Sequence, residues 1–150
     1  MWLLDNVRIA VHVFHGHKRV VWSVAFSRLD RIVASASGDA TVRIWIVQSG
    51  TMLRTLQEHV ARVLRVCFIS RGTQLVSGGA DGLVKVWATR TGECDVSLGS
   101  DEPLLSELQP GPSPSHSGRV WAVDAVNDGD SIISGGSDGV IVRWGDCSMG

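Results

Sequence analysis

Three stretches of this chain alternate apolar and polar positions with the period of a half-buried strand. They are Val21-Trp-Ser-Val-Ala-Phe26, Val63-Leu-Arg-Val-Cys-Phe68 and Val120-Trp-Ala-Val-Asp-Ala125. After each comes a pattern that reads as a hairpin. In the second copy Gln74-Leu-Val-Ser-Gly-Gly79 is a strand, Ala80-Asp81-Gly82 a turn and Leu83-Val-Lys-Val-Trp87 the returning strand. Asp-Gly suits a tight turn because glycine accepts positive φ. Asp138-Gly139 repeats the signal. Asp39-Ala40 lacks the glycine, which predicts a strained turn or one of another type. A further strand is predicted before each copy, at Val7–Phe14, Met52–Leu56 and Cys94–Leu98. No helical period interrupts the series, so the pattern predicts an all-β chain of three units, each with four short antiparallel strands.

Polar residues mark the same units with fixed spacing. A His is followed 18 residues on by a Ser, 22 on by an Asp and 28 on by a Trp. The sets are His17, Ser35, Asp39, Trp45; His59, Ser77, Asp81, Trp87; and His116, Ser134, Asp138, Trp144. Such periodicity signals a repeat architecture. The repeats span about 7–45, 51–87 and 92–144 of a single region covering 1–150. The first two His are 42 residues apart and the last two 57 apart, which puts an insertion of 15 residues within 98–114. Its Pro, Gly, Ser and acidic content predicts a solvated loop, with a short partner-docking helical turn at Leu104–Leu108 as the alternative.

Composition narrows the function classes. Lys and Arg number 14 and Asp and Glu 15, a net charge of −1. That excludes coating nucleic acid through bulk charge, so any RNA contact must be local. Cys67, Cys94 and Cys147 lack CxxC spacing, which argues for free thiols in a reducing compartment and against a zinc site. No apolar run is long enough to span a bilayer, and Asp5 interrupts the start too early for a signal-peptide core. A soluble, intracellular protein is expected.

Gly16-His17, Glu58-His59 and Ser115-His116, with a Trp ending each third strand, resemble the WD-repeat family of β-propellers. The expected Asp after each Trp is replaced by Ile46, Ala88 and Gly145. The resemblance implies a partial propeller. The runs Gly16-His-Lys-Arg19, Arg71-Gly-Thr-Gln-Leu75, Asp81-Gly-Leu-Val-Lys-Val-Trp87 and Arg119-Val-Trp121 further resemble the U3 small nucleolar RNA-associated WD-repeat subunits of the small-subunit processome. Trp2 sits where the third-strand Trp of a preceding blade would fall. That resemblance implies a fragment of a longer scaffold in the nucleus and nucleolus. Its implied partners are processome subunits, with local contact to U3 or pre-ribosomal RNA. No cofactor is implied.

Several constellations invite chemistry. Ser, His and Asp together suggest a hydrolase, but three equivalent catalytic centres on one small chain are implausible. A buried network fits better: Asp accepts from His, His bonds Ser, and Ser bonds the Trp indole. The twelve tetrad residues therefore read as framework, with no catalytic residues and no enzyme activity expected. His12, His15 and His17 fall within six residues, yet alternation sends His12 and His15 to opposite faces and His17 belongs to its tetrad, so no metal site is expected. In WD-repeat propellers, the positions three and five residues after the His resemble partner-binding hot spots. Here they are Val20 and Trp22, Arg62 and Leu64, and Arg119 and Trp121. The competing reading is that Trp22, Leu64 and Trp121 share parity with core residues Val24, Val66 and Val123 and cap the core. Lys18, Arg19, Arg62 and Arg119 follow the His residues and form a candidate rim for RNA phosphates or an acidic partner, or else plain solvated charge. Arg143 stands where Ile44 and Val86 stand in the other repeats, which predicts a core-facing cation paired with an acid such as Asp124, or a frayed strand.

The leading role is that of an interaction scaffold in pre-ribosomal RNA processing. The alternatives are another WD-repeat adaptor, such as a ubiquitin-ligase substrate receptor or signalling scaffold, and remotely a Ser-His-Asp hydrolase. Three blades cannot close a ring. Completion by further blades or by self-association is expected.

Overall fold

A computed structural model of the chain describes residues 10–99, 115–126 and 131–145. Eleven strands among them form three antiparallel sheets of four, four and three strands. The first sheet holds β1 (Val21–Phe26), β2 (Ile32–Ser37), β3 (Val42–Ile46) and β4 (Met52–Leu56) in sequential order. The second holds β5 (Val63–Ile69), β6 (Gln74–Gly79), β7 (Val84–Ala88) and β8 (Cys94–Leu98). The third holds β9 (Val120–Val126), β10 (Ser131–Gly136) and β11 (Ile141–Gly145). The sheets do not close on one another, which is the architecture of a partial propeller.

The sheets are offset from the repeats of the sequence. The strand that leads into His59 is β4, and it pairs with β3 of the sheet before it, with Val42 opposite Leu56 and Trp45 opposite Met52. Likewise β8, which precedes the third repeat, pairs with β7. Each such strand therefore completes one sheet while its chain enters the next. Residues 10–14 form no strand, against the expectation for Val7–Phe14. Their counterparts in later repeats pair with a preceding third strand, and the described residues provide none before them. Residues 7–9, Trp2, the suggested turn at Leu104–Leu108 and Cys147 lie outside the described residues.

Sheet-on-sheet burial makes the core. Ala34, Ala36, Val42 and Ile44 of the first sheet meet Val63, Val66, Leu75 and Trp87 of the second. Val76, Val84 and Val86 on the opposite face of the second sheet meet Val120, Val123 and Ile132 of the third. Burying one such side chain contributes about 1.5–3 kcal/mol, so each inter-sheet seam outweighs any single polar contact. Across the sheets β1 neighbours β5 and β5 neighbours β9, so these first strands line up from sheet to sheet.

Among the described residues, nothing gives the two outermost faces that cover. Val24 is 65% exposed, whereas its equivalents Val66 and Val123 are 2% and 4% exposed. Phe26 on the same strand is 70% exposed. On the other outer face Ile141 is 78% exposed, against 0% for its equivalents Val42 and Val84. Arg143 belongs to this face. It is exposed rather than core-facing, and its Nη2 donates to Ser131 Oγ at 3.0 Å rather than to Asp124. The reason is register: Val142 and Trp144 take the packed side of β11, which leaves Ile141 and Arg143 on the uncovered side.

The turns follow local chemistry. Gly82 and Gly139 adopt φ of 80° and 76° in the β6–β7 and β10–β11 turns. Ala40 holds the same place in the β2–β3 turn at φ 68°, a left-handed conformation that costs a residue with a Cβ roughly 1–2 kcal/mol. The β5–β6 connection carries three successive positive-φ residues, Ser70, Arg71 and Gly72, which no sequence signal announced.

Candidate functional site

Each sheet brings its Ser, His, Asp and Trp together, although they come from four different segments. In the second sheet Ser77 lies on β6, Trp87 on β7, Asp81 in the turn between them and His59 in the loop before β5. Trp87 Nε1 donates to Ser77 Oγ at 2.8 Å, and Ser77 Oγ lies 2.7 Å from His59 Nε2. His59 Nδ1 lies 2.7 Å from Asp81 Oδ2. The first sheet shows the same chain. Trp45 donates to Ser35 at 2.8 Å, Ser35 lies 2.6 Å from His17 Nε2, and His17 Nδ1 lies 2.9 Å from Asp39. In the third, Trp144 donates to Ser134 at 2.8 Å, His116 Nε2 lies 2.8 Å from Ser134, and its Nδ1 lies 3.1 Å from Asp138.

The partners dictate the proton order. The carboxylate accepts from Nδ1–H, so Nε2 is unprotonated and accepts from the serine hydroxyl, whose oxygen accepts from the indole. Each Asp also caps backbone amides: Asp81 accepts from Leu83 N at 3.1 Å and Val60 N at 3.3 Å. Burial raises the pKa of Asp81, but the hydrogen bond from His59 and these two amides outweigh it and hold the carboxyl below its ordinary 3.8. For Asp39, burial is outweighed by Thr41, His17 and the amides of Lys18 and Thr41. For Asp138, it is outweighed by the Val140 and Ser117 amides and by His116. Three low-pKa carboxylates thus pin the loop before each first strand to the following hairpin turn.

The same trio would suit nucleophilic catalysis in an open cleft. Here Ser77 and Ser134 are fully buried and each hydroxyl is saturated by His and Trp. No substrate atom can reach them without unpacking the blade. His12 and His15 are exposed, while His17 is committed to Asp39 and Ser35.

The positions five residues after each His behave differently. Strand alternation predicts that Trp22, Leu64 and Trp121 follow Val24, Val66 and Val123. A β-bulge breaks that rule in all three sheets. Val21 pairs with Ser37 and Ser23 with Ala36, so Trp22 is the extra residue. Leu64 and Trp121 are skipped in the same way. A bulge re-aims the side chain it carries. Leu64 turns into the core at 5% exposure, while Trp22 and Trp121 stand 45% and 47% exposed. Leu64 therefore belongs to the core, and the two tryptophans belong to the surface.

Arg19, Arg62 and Arg119 gather at the end of the sheets where the His loops and hairpin turns meet. They line one groove of about 540 Å³ together with Ala40, Val60 and Ala80. It runs into a recess of about 390 Å³ walled by Trp22, Val20 and Gly38. Lys18 is exposed nearby in sequence but lines neither. The Arg62 carbonyl accepts from Ala80 N and that of Arg119 from Ser137 N, both at 2.8 Å, so fixed backbone presents these cations.

One contact was not foreseen from the sequence. Lys85 on β7 is nearly buried; its Nζ donates to Ser97 Oγ at 3.2 Å and lies 3.7 Å from Glu58. Glu58 occupies the place of Gly16 in the first repeat, where an added Cβ would collide with Arg43. In the first two repeats the residue before the His thus matches the residue two before the Trp, a pairing signalled only by comparing repeats.

Comparison with known proteins agrees with this geometry. The family model described as WD domain, G-beta repeat matches residues 9–45, 50–88 and 110–145. The chain belongs to the WD40 repeat family. It is 29% identical over 141 residues to the COMPASS component SWD3 of Saccharomyces cerevisiae, covering 93% of this chain and 42% of that protein. It is 31% identical over 114 residues to eukaryotic translation initiation factor 3 subunit I of Kluyveromyces lactis, covering 76% and 32%. It is 35% identical over 86 residues to pre-mRNA-processing factor 17 of Mus musculus, covering 56% and 15%. The chain therefore spans less than half the length of these WD40 relatives.

Proposed function

We propose that this WD40 chain is a non-catalytic protein-interaction scaffold. The observation that carries the reading is the division of labour within each blade. Polar groups with catalytic potential are buried and mutually satisfied, while the bulged Trp22 and Trp121 stand half-exposed, Trp22 in the wall of a recess. Half-exposed tryptophans are efficient anchors for a protein partner. The relatives support the scaffold class, since their names place them in COMPASS, in a translation initiation factor and in pre-mRNA processing.

Within that class we assign the chain to small-subunit processome assembly and pre-ribosomal RNA processing, in the nucleolus. The support is the likeness of 16–19, 71–75, 81–87 and 119–121 to the last blades of transducin beta-like protein 3. Processome subunits are then its partners. Affinity capture of the tagged gene product from cells tests this. Recovery of U3 RNA with processome subunits is expected, and recovery of cullin-type ligase subunits in their place would overturn it. Trp22→Ala with Trp121→Ala should lower recovery at least tenfold without changing the thermal midpoint, because neither side chain belongs to a core seam.

A further inference from the structure

We infer that the Arg19–Arg62–Arg119 groove is a docking site for an extended peptide segment rich in Asp and Glu. This rests on the interaction-scaffold reading and names the chemistry of the partner. Three successive repeats each contribute one arginine to a single groove. Among the described residues, none of the three guanidinium groups has a hydrogen bond or an ion pair. The one carboxylate lining the groove is Asp39, and it is consumed by His17, Thr41 and the Lys18 amide. The groove therefore carries uncompensated positive charge on a chain whose net charge is −1.

Charge complementarity selects the occupant. Arginine forks bind carboxylates bidentately and are not fully served by water. Phosphate-backbone binding usually draws on a broad basic face and many contacts. Here three cations are interleaved with Val20, Val60 and the Trp22 ring, all exposed. An RNA strand would leave these valines unmatched, whereas a peptide alternating acidic and apolar side chains covers both. The indole Nε1–H of Trp22 is also unbonded among the described residues and faces the recess beside Gly38, open to a peptide carbonyl.

A displayed library of random 12-residue peptides, panned on the full chain, tests the assignment. The selected pool is expected to be enriched at least threefold in Asp and Glu, with apolar residues between them. Panning on Arg62→Glu/Arg119→Glu should abolish that enrichment. Arg62→Lys/Arg119→Lys should retain it and weaken binding of a selected peptide about tenfold, since charge survives and the fork does not. Equal thermal midpoints establish that the variants fold. A pool without acidic enrichment, or one that survives charge reversal, overturns the inference while leaving an interaction face in place. A pool no different from the input ends both readings. A 12-nucleotide uridine RNA that displaces the selected peptide at equal or lower concentration overturns the assignment in favour of nucleic acid.

Discussion

At the residue scale one serine oxygen in each blade serves two buried partners. Ser77 Oγ takes the indole hydrogen of Trp87 and gives its own to His59. Ser77→Ala leaves both groups buried without a partner, at about 1–3 kcal/mol each, so a loss of about 3 kcal/mol is expected in urea unfolding. Ser77→Cys should recover only part of it, because sulfur is a weak acceptor. A loss below 1 kcal/mol would mean that the tetrads add little to stability. Ala40 makes the opposite case. Its left-handed φ of 68° makes Ala40→Gly stabilising by about 0.5–1 kcal/mol. Gly82→Ala should be destabilising beyond the cost of φ, because the new Cβ would lie 2.9 Å from the His116 carbonyl oxygen. Both are read as shifts in the thermal midpoint. The Asp-Ala dipeptide announced the strain, since the other two turns carry Asp-Gly; the His116 carbonyl belongs to the neighbouring blade and left no local mark.

At the scale of elements, the loop before each first strand is tied to a hairpin through an aspartate whose pKa lies below 3.8. A depressed carboxyl stabilises the fold fully above the unfolded value, and that stability is lost as pH falls through the folded one. The unfolded aspartate titrates near pH 3.9. The contribution of these three aspartates to the unfolding free energy should therefore hold steady down to about pH 5 and fall steeply below about pH 4. Asp81→Asn should lower stability at pH 7 and flatten the acid slope, as measured by urea titration at a series of pH values. Alternation revealed the strands because one face of each is buried. It failed at Trp22 and Trp121 because a bulge inserts one residue without changing the composition of the strand. It gave Arg143 the same side as Ile44 and Val86, but burial on that side requires a covering sheet, a property of the neighbours. The offset between repeat and sheet was hidden for a related reason, since spacing fixes a period and not the boundary at which hydrogen bonding begins.

At the scale of the molecule, the seams between sheets account for the burial and, among the described residues, the outer faces remain open. Phe26 and Ile141 lie on opposite ends of the fan. Apolar faces of this kind associate. Sedimentation of the 150-residue chain should show a mass that rises with concentration. Phe26→Glu with Ile141→Glu should return it towards monomer without lowering the pairing of the inner sheets. A monomer at every concentration would show that these faces do not seek cover.

The strand lent by each repeat to the sheet before it also bears on how such a chain lengthens. Adjacent His residues in the first two units stand 42 positions apart, and sheet and tetrad recur with that same stride. A tandem copy of any 42-residue window drawn from this stretch, whatever its first residue, would regenerate one full blade with its rivets in register. Gene duplication at such a locus needs no privileged breakpoint, and a ring can gain members by slippage alone.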